Sequence, residues 1–259
     1  MPELPEVESL CRQLREVVAG KQIREARIID AKLGRLEDVT GCTLLAPFRR
    51  GKGLNLPLDD GRVFRLHLRM TGRLLWQPDQ PLALPHIRFV MRFEHGRLVL
   101  IDPRRFATLE LQSGAPPAPQ GFDPLEEFPA PLLCESVRRK KMPVKSFLLD
   151  QRVIAGIGNI YACEILYRAA INPRRPACDL AVSEWQRLGE TAQEVLTRAI
   201  ACRGTSISDW RDLFGQMGEY QNYLQVYGRA GKPCPRCGNT VERIKLGGRG
   251  TFFCPACQP

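Results

Sequence analysis

CPRCGNTVERIKLGGRGTFFCPAC, residues 234–257, decides the fold of the C-terminal part of this 259-residue chain. Two Cys-x-x-Cys pairs, Cys234/Cys237 and Cys254/Cys257, are separated by sixteen residues. This spacing is typical of structural zinc sites, in which a short hairpin joins two knuckles and four thiolates complete a tetrahedron. Four sulfur ligands leave no open position for water, so we expect one structural zinc ion per chain. Four unligated cysteines are the alternative interpretation.

The tail that contains these cysteines, residues 226–259, is strongly basic. It carries six Lys or Arg side chains against a single acid, Glu242, in a chain whose formal net charge is +10. A basic surface attracts polyanions, nucleic acid above all, and would also attract anionic membranes. The charge therefore indicates a zinc hairpin that binds phosphates, with protein-binding zinc ribbons as the competing interpretation.

Residues 132–212, upstream of the tail, have apolar side chains at the three- and four-residue spacing of helices. Within them, AGIGNIYACEIL (155–166) places Gly-x-Gly-Asn directly before a helical pattern, which predicts Asn159 as the N-cap. The N-terminus of a helix binds anions, although glycine-rich caps often have only a structural role. The Pro- and Gly-rich segment 113–131 predicts a linker.

Residues 22–112 have the pattern of antiparallel strands. VFRLHLRM (63–70) alternates, which predicts a half-buried strand with Phe64, Leu66, Leu68 and Met70 on one face. DDG (59–61) and EHG (94–96) predict hairpin turns. We therefore expect a β-sandwich, and for the chain an α+β multidomain fold. The predicted domains are 1–112, the linker 113–131, a helical domain 132–225 and the zinc finger 226–259.

MPELPEVESL (1–10) predicts a helix that begins near Pro5, with Glu6 at the positive end of its dipole. That pattern leaves Pro2 and Glu3 unexplained. It also does not resemble a signal peptide, and no stretch is apolar enough to cross a bilayer, so we expect a cytoplasmic protein. The sequence gives no sign of oligomerisation, so we expect a monomer, and we further expect it to associate with the nucleoid. In that reducing compartment the ten cysteines should not form disulfides.

Taken together, the chain resembles the formamidopyrimidine-DNA glycosylases, relatives of the endonuclease VIII group. The resemblance runs from residue 1 to 257 and rests on MPELPEVE, RRGKG, HLRMTGRL, DPRRF, LLDQRVIAGIGNIYACEIL, INP, LQVYGR and the cysteine hairpin. It implies a β-sandwich behind an N-terminal helix, a helix–two-turn–helix domain and a zinc hairpin, with double-stranded DNA between the two domains. Leu4, where the endonuclease VIII branch tends to have glycine, favours the branch that acts on guanine lesions.

The resemblance explains Pro2 and Glu3. Removal of Met1 would expose the secondary amine of Pro2, and α-amines titrate at about 7.7–8.0 in peptides, well below lysine at about 10.4. By resemblance, Pro2 attacks C1′ of the damaged nucleoside and forms an iminium, and β- and δ-elimination then cut the strand. Glu3 would be the general acid/base, Glu6 would support the site, and Lys52 would grip phosphates and assist cleavage.

The resemblance also implies a set of DNA contacts. His67, Asn159, Tyr227 and Arg249 would hold the backbone, and Arg243 would add a further contact. Met70, Arg104 and Phe106 would enter the duplex and fill the gap that the flipped nucleotide leaves. For Met70 the alternative is a core methionine, because the strand alternation places it on the apolar face. Glu164 matches an acidic position of the family to which we assign a structural role.

Several positions depart from the family pattern. Arg69 stands where glycine is expected, Cys163 where Asp or Asn is expected, and Phe252 where histidine is expected. RDLFGQMGEYQNY (211–223) lacks the GxPGYF motif that is usual in the family. These departures bear on the choice of lesion. We expect a bifunctional glycosylase and AP lyase acting on oxidised purines; activity on oxidised pyrimidines, or a non-catalytic zinc protein that binds nucleic acid, are the alternatives.

Overall fold

The computed structural model describes residues 1–78, 84–114, 121–138 and 141–259. Its elements form two compact units, Met1–Ala118 with Ile200–Gln221, and Pro119–Ala199 with Asn222–Pro259. Of the predicted linker 113–131, residues 115–120 lie outside the described residues. In the described ranges, each helix is too short or too polar to span a bilayer.

In its described residues, the first unit contains one complete α-helix, a short 3₁₀ helix (Ala31–Leu33) and ten strands. The helix, α1, spans Leu4–Val18. The strands are β1 (Lys21–Gln22), β2 (Glu25–Ile28), β3 (Thr43–Leu44), β4 (Phe48–Arg50), β5 (Gly53–Pro57), β6 (Arg62–His67), β7 (Arg73–Gln77), β8 (Ile87–Phe93), β9 (Gly96–Ile101) and β10 (Thr108–Ser113).

Eight of these strands form two four-stranded antiparallel sheets, in the orders β10-β6-β5-β4 and β2-β8-β9-β7. Both sheets and α1 contribute to one hydrophobic core, and the rings of Phe64 on β6 and Phe89 on β8 lie 5.9 Å apart across it. The expected sandwich is confirmed, as are the hairpin turns at 59–61 and 94–96.

Residues 200–221 belong to this unit by packing. Trp210 and Leu213 are buried in the sandwich core, and the Trp76 amide donates to the Leu213 carbonyl (2.7 Å). The predicted helical domain, 132–225, included this segment, whereas the structure assigns it to the first unit. The reason is that its apolar side chains pack on sandwich residues that are distant in sequence.

Over the part that the structure describes, the second unit contains four α-helices, a short 3₁₀ helix (Ala177–Asp179) and a zinc hairpin. The helices are α2 (Ala130–Val137), α3 (Val144–Leu148), α4 (Asn159–Arg168) and α5, whose span Val182–Ala201 continues into the segment of the first unit. β11 (Glu242–Leu246) and β12 (Arg249–Phe253) form the hairpin, and Gly247 and Gly248 make its turn with φ of 53° and 76°. The backbone amide of Phe122 donates a hydrogen bond to the 153–155 backbone, and the Phe122 carbonyl accepts one from it. This described part of the predicted linker is therefore attached to the helical unit.

Candidate active site and nucleic-acid interface

The N-terminus of α1 is closed by a reciprocal capping box. Glu3 is the N-cap, its side chain accepts from the Glu6 amide, and its own amide donates to Glu6 Oε2 at 2.7 Å. Pro2 precedes this box and is buried, and Glu3 is only 3% exposed. The prediction that the helix begins near Pro5 with Glu3 outside it was wrong by one position, since Glu3 satisfies an amide of the first turn.

Glu6 also holds a second segment. Its Oε1 accepts from the Thr205 amide at 2.7 Å, so one buried carboxylate joins the start of α1 to residues 200–221. Sequence reasoning missed this contact, because it connects residues that lie far apart along the chain.

Lys52 lies at the tip of the β4–β5 hairpin, where Arg50 pairs with Gly53. Gly51 has φ of 56° at the first central position of the turn, as in type II′ hairpins. Behind the turn, Arg49 Nε donates to Glu8 Oε2 of α1 at 3.0 Å, and both side chains are largely buried. The hairpin that presents Lys52 is therefore fixed to α1, whose N-cap is Glu3.

His67, at the end of β6, is a neutral imidazole near two cations. The Arg69 amide donates to its Nδ1 at 3.0 Å, which assigns the ring proton to Nε2, where it can donate to a phosphate oxygen. Burial, with the positive charges of Arg69 and Lys52, lowers the pKa of His67 to about 4. Arg69 adopts φ of 54°, the left-handed region that suits the glycine expected there.

Met70 and Phe106 project from two loops of the same unit, and each is 45% exposed. The strand-alternation alternative of a core methionine is thus excluded, because β6 ends at His67 and the chain turns at Arg69. The Arg104 guanidinium lies 4.8 Å from the centre of the Phe106 ring.

Asn159 is the first residue of α4, and Gly158, with extended backbone, is the N-cap. The prediction that Asn159 caps the helix is therefore wrong. Its Oδ1 instead accepts from Lys145 Nζ (2.5 Å), and its Nδ2 donates to the Gly250 carbonyl (3.0 Å). Lys145 also donates to Thr251 Oγ1 (2.7 Å) and is fully buried. Lys145 was not among the predicted site residues, because the sequence shows it only as a cation among apolar helix residues.

Glu164, on α4, holds the segment that carries Tyr227. Its carboxylate accepts the amides of Gln225 (2.9 Å), Val226 (3.0 Å) and Tyr227 (2.8 Å). Burial raises the pKa of Glu164 in spite of these bonds. The contacts agree with the structural role expected for Glu164. Phe252, at the position where histidine was expected, lies 5.0 Å from the Tyr227 ring.

The four cysteines of the tail come together in one cluster. Their Sγ atoms all lie within 4.8 Å of one another, with Cys234–Cys257 at 3.9 Å and Cys237–Cys254 at 3.5 Å. A Zn–S bond of about 2.3 Å gives tetrahedral S···S edges of about 3.8 Å, so the set fits one zinc ion. Arg243 and Arg249 are exposed on the hairpin that these knuckles hold.

The predicted site residues thus form two groups, one on each unit. The first unit carries Pro2, Glu3, Glu6, Lys52, His67, Met70, Arg104 and Phe106. The second carries Asn159, Tyr227, Arg243, Arg249 and the four cysteines.

Comparison with known proteins gives three family matches that together cover most of the chain. Residues 1–109 match the formamidopyrimidine-DNA glycosylase N-terminal domain, 120–210 the formamidopyrimidine-DNA glycosylase H2TH domain, and 231–259 a zinc finger found in FPG and IleRS. The formamidopyrimidine-DNA glycosylase of Chloroflexus aggregans is 40% identical, over 100% of this chain and 98% of its own.

Solved structures agree with these matches. The Lactococcus lactis Fpg in complex with DNA containing an abasic site is similar with a TM-score of 0.90 and 35% identity, over 99% of each chain. A complex of the wild-type Lactococcus lactis protein with DNA containing an oxidised pyrimidine has a TM-score of 0.90 and 34% identity, also over 99% of each chain. With its sandwich, helical unit and four-cysteine zinc site, the chain belongs to the formamidopyrimidine-DNA glycosylase family.

Proposed function

We propose that this chain is a bifunctional DNA glycosylase and AP lyase of base excision repair, acting on oxidised purines such as 8-oxoguanine and formamidopyrimidines. The observation that carries the proposal is the N-terminus of α1, where Pro2 directly precedes a capping box of two buried carboxylates. The Glu6 carboxylate accepts the Glu3 amide, so the backbone directly after Pro2 is fixed.

In the proposed reaction, the Pro2 amine, once Met1 is removed, attacks C1′ of the damaged nucleoside. The N–C1′ bond forms as the bond from C1′ to the base breaks, and the base leaves with a proton. Opening of the sugar ring gives an iminium, which acidifies C2′ and allows successive loss of the 3′ and 5′ phosphates. Glu3, adjacent to the amine, moves the protons of these steps.

Lys52 has a supporting role in this proposal. Its turn is tied to α1 through Arg49 and Glu8, so the backbone that carries Lys52 is held next to the helix that Pro2 precedes. A cation there would hold the phosphates on either side of the lesion and favour their departure. His67, neutral at physiological pH, would donate Nε2–H to a backbone oxygen, and Arg69 would add a positive charge beside it.

The remaining contacts serve to grip and open the duplex. Asn159 at the start of α4, Tyr227, and Arg243 and Arg249 on the zinc hairpin would hold phosphates. Met70, Arg104 and Phe106 would enter the base stack, since extrusion of a nucleotide costs a few kcal/mol that an inserted side chain offsets. The zinc ion holds the hairpin together and takes no part in the chemistry. Because the substrate is chromosomal DNA, we place the protein at the nucleoid.

Oxidised pyrimidines form the second candidate substrate class. Residues 211–223 lack the sequence motif that the family has in the loop that caps the flipped base. A solved relative is bound to DNA with an oxidised pyrimidine. This difference affects the choice of lesion and leaves Pro2, Glu3 and Lys52 unchanged.

Sodium borohydride trapping tests the proposal. Untagged protein with a verified free Pro2 is mixed with duplexes that carry 8-oxoguanine opposite cytosine, an oxidised pyrimidine, or an abasic site. Reduction should fix a covalent adduct, and peptide mass should map it to Pro2. Pro2→Gly should weaken excision, and Glu3→Gln should reduce it by about 10²–10⁴-fold, with DNA binding retained in both. Lys52→Arg keeps the charge and should keep the adduct.

The outcomes separate the candidates. An adduct on Pro2 with 8-oxoguanine supports the proposal in full. An adduct formed only with the pyrimidine or abasic duplex would support the mechanism but exclude oxidised purines as the substrate class. No adduct with any duplex would refute the proposed enzymatic activity and favour the alternative of a non-catalytic zinc protein that binds DNA.

A further inference from the structure

Asp102, which follows β9, is a fully buried carboxylate that receives donors from two separate loops. Its Oδ1 accepts from Thr71 Oγ1 at 2.5 Å. Its Oδ2 accepts the backbone amides of Phe106 and Ala107, both at 2.7 Å. The oxygens of one rigid group thus fix the distance between residue 71 and residues 106–107.

These two loops end in the exposed apolar side chains described above. Thr71 follows Met70, and the Phe106 amide is itself one of the donors. The loops also touch nearby, because a Cβ at Gly72 would lie 2.5 Å from the Leu68 carbonyl oxygen and 3.1 Å from Ala107 Cβ. Met70 and Phe106 are therefore held in one fixed relation by contacts beneath the surface.

The charge of Asp102 is compensated by a buried network. Arg88 Nη1 lies 3.4 Å from Asp102 and donates to the Ala107 carbonyl at 2.8 Å, and its Nε donates to Asp30 at 2.7 Å. Asp30 in turn accepts two bonds from Arg105, at 2.9 and 2.6 Å. Burial disfavours the charged form of Asp102, but the bonds from Thr71 and the two amides outweigh it and lower the pKa of Asp102. The carboxylate is thus ionised and acts as an acceptor at every donor.

Arg105, the last member of this network, has strained backbone. Its φ is 59°, in the left-handed region that is unfavourable for a non-glycine residue. The two bonds to Asp30 hold Arg105 in this conformation and thereby restrain the loop of Arg104 and Phe106.

We propose that Asp102 is a positioning residue for lesion extrusion, which holds Met70 and Phe106 as one preformed wedge. The inference rests on the proposed function, and it adds a residue that touches no substrate. A preformed wedge avoids the entropic cost of ordering two loops when the duplex opens. Its loss should slow the step that unstacks a base and leave the later eliminations unchanged.

Thr71 offers a matched pair of variants for the test. Thr71→Val removes the hydroxyl and keeps the branched shape, whereas Thr71→Ser keeps the hydroxyl. Asp102→Asn is the direct variant, and its amide would face backbone N–H donors. Single-turnover cleavage is measured with two duplexes, one carrying the intact lesion and one carrying a preformed abasic site, which has no damaged base to extrude. Leu98→Ala, a truncation in the sandwich core, controls for lost stability.

Thr71→Val should slow cleavage of the lesion duplex by about tenfold, the factor for loss of roughly one charge-assisted hydrogen bond, and change the abasic rate by less than twofold. Thr71→Ser should restore the lesion rate, and Asp102→Asn should lose more than Thr71→Val. Leu98→Ala should affect the two duplexes equally. Equal slowing of both duplexes by Thr71→Val, or failure of Thr71→Ser to restore the rate, would overturn the assignment of Asp102 alone. Wild-type protein that forms no borohydride adduct with either duplex would overturn the proposed function as well.

Discussion

Gly204 lies against the carboxylate that supports the start of α1, and replacing it with alanine tests that support. Gly204 has φ of 81°, and a Cβ there would lie 2.6 Å from Glu6 Oε1 and 2.7 Å from Glu6 Cγ. A side chain often yields to such a clash, but Glu6 is buried and each of its oxygens accepts a backbone amide, from Glu3 and from Thr205. Movement of Glu6 therefore breaks at least one of these bonds.

The magnitude follows from two contributions. Alanine in the left-handed region costs about 1 kcal/mol, and loss of one hydrogen bond to a charged group costs about 1.5–3 kcal/mol. Gly204→Ala should thus lower the free energy of unfolding by about 2.5–4 kcal/mol. Gly215 is the matched control in the same segment, because its φ is 79° and no atom of the described residues lies within 4 Å of a Cβ built there. Gly215→Ala should cost only the first contribution, about 1 kcal/mol.

Urea denaturation of both variants, followed by tryptophan fluorescence, measures the difference at constant m. The yield of the borohydride adduct should fall for Gly204→Ala and remain unchanged for Gly215→Ala, because only the first displaces the backbone of Glu3. In a Glu6→Ala background the clash is absent, and Gly204→Ala should then cost as little as Gly215→Ala. Equal destabilisation by the two glycine variants in the wild-type background would refute the reasoning.

Three further predictions concern His67, its neighbour and the zinc site. The pKa of His67 is about 4 in the folded chain and about 6.5 when unfolded, so its contribution to stability is present above pH 6.5 and is lost as pH falls toward 4. Between pH 7 and pH 5 this effect should lower the free energy of unfolding by about 2 kcal/mol. His67→Gln should lack this contribution when the urea midpoints of the two proteins are compared at both pH values. Arg69→Gly removes a cation that lowers the pKa of His67, so NMR titration should show that pKa rise; Arg65→Ala, exposed on the same strand, should leave it unchanged. Zinc removal by a chelator, or Cys237→Ser, should unfold the hairpin and weaken DNA binding in a titration, because metal binding is part of the folding free energy; unchanged affinity would contradict the phosphate-binding role of the tail.

Local patterns predicted the elements well where short-range physics decides them. The alternation around Phe64, the DDG and EHG turns and the cysteine spacing all correspond to observed features, because each depends on residues close in sequence. The same patterns failed at element ends. Met70 continued an apolar alternation, but the positive φ of Arg69 turns the chain there, and no periodicity encodes that turn.

The groups that support the site escaped prediction for a different reason. Asp102 belongs to the DPRRF motif, but its structural role depends on a hydrogen bond from Thr71, which is distant along the chain. Lys145 is similar, since its partners are residues 159 and 251. Glu6 was predicted to support the site, but its bond with residue 205 was not. Buried hydrogen-bond networks are built by the tertiary fold, and a single sequence does not show which polar residues it will bring together.

The assignment of residues 200–221 to the sandwich has a consequence for synthesis of the protein. Trp210 and Leu213 complete a core whose other members lie within the first 111 residues. The strands of this unit leave the ribosome before residues 200–221 do, so its core lacks Trp210 and Leu213 until translation has passed that segment. The bond from the Thr205 amide to Glu6 likewise cannot form before then, so this tie to the first turn of α1 is made late in synthesis.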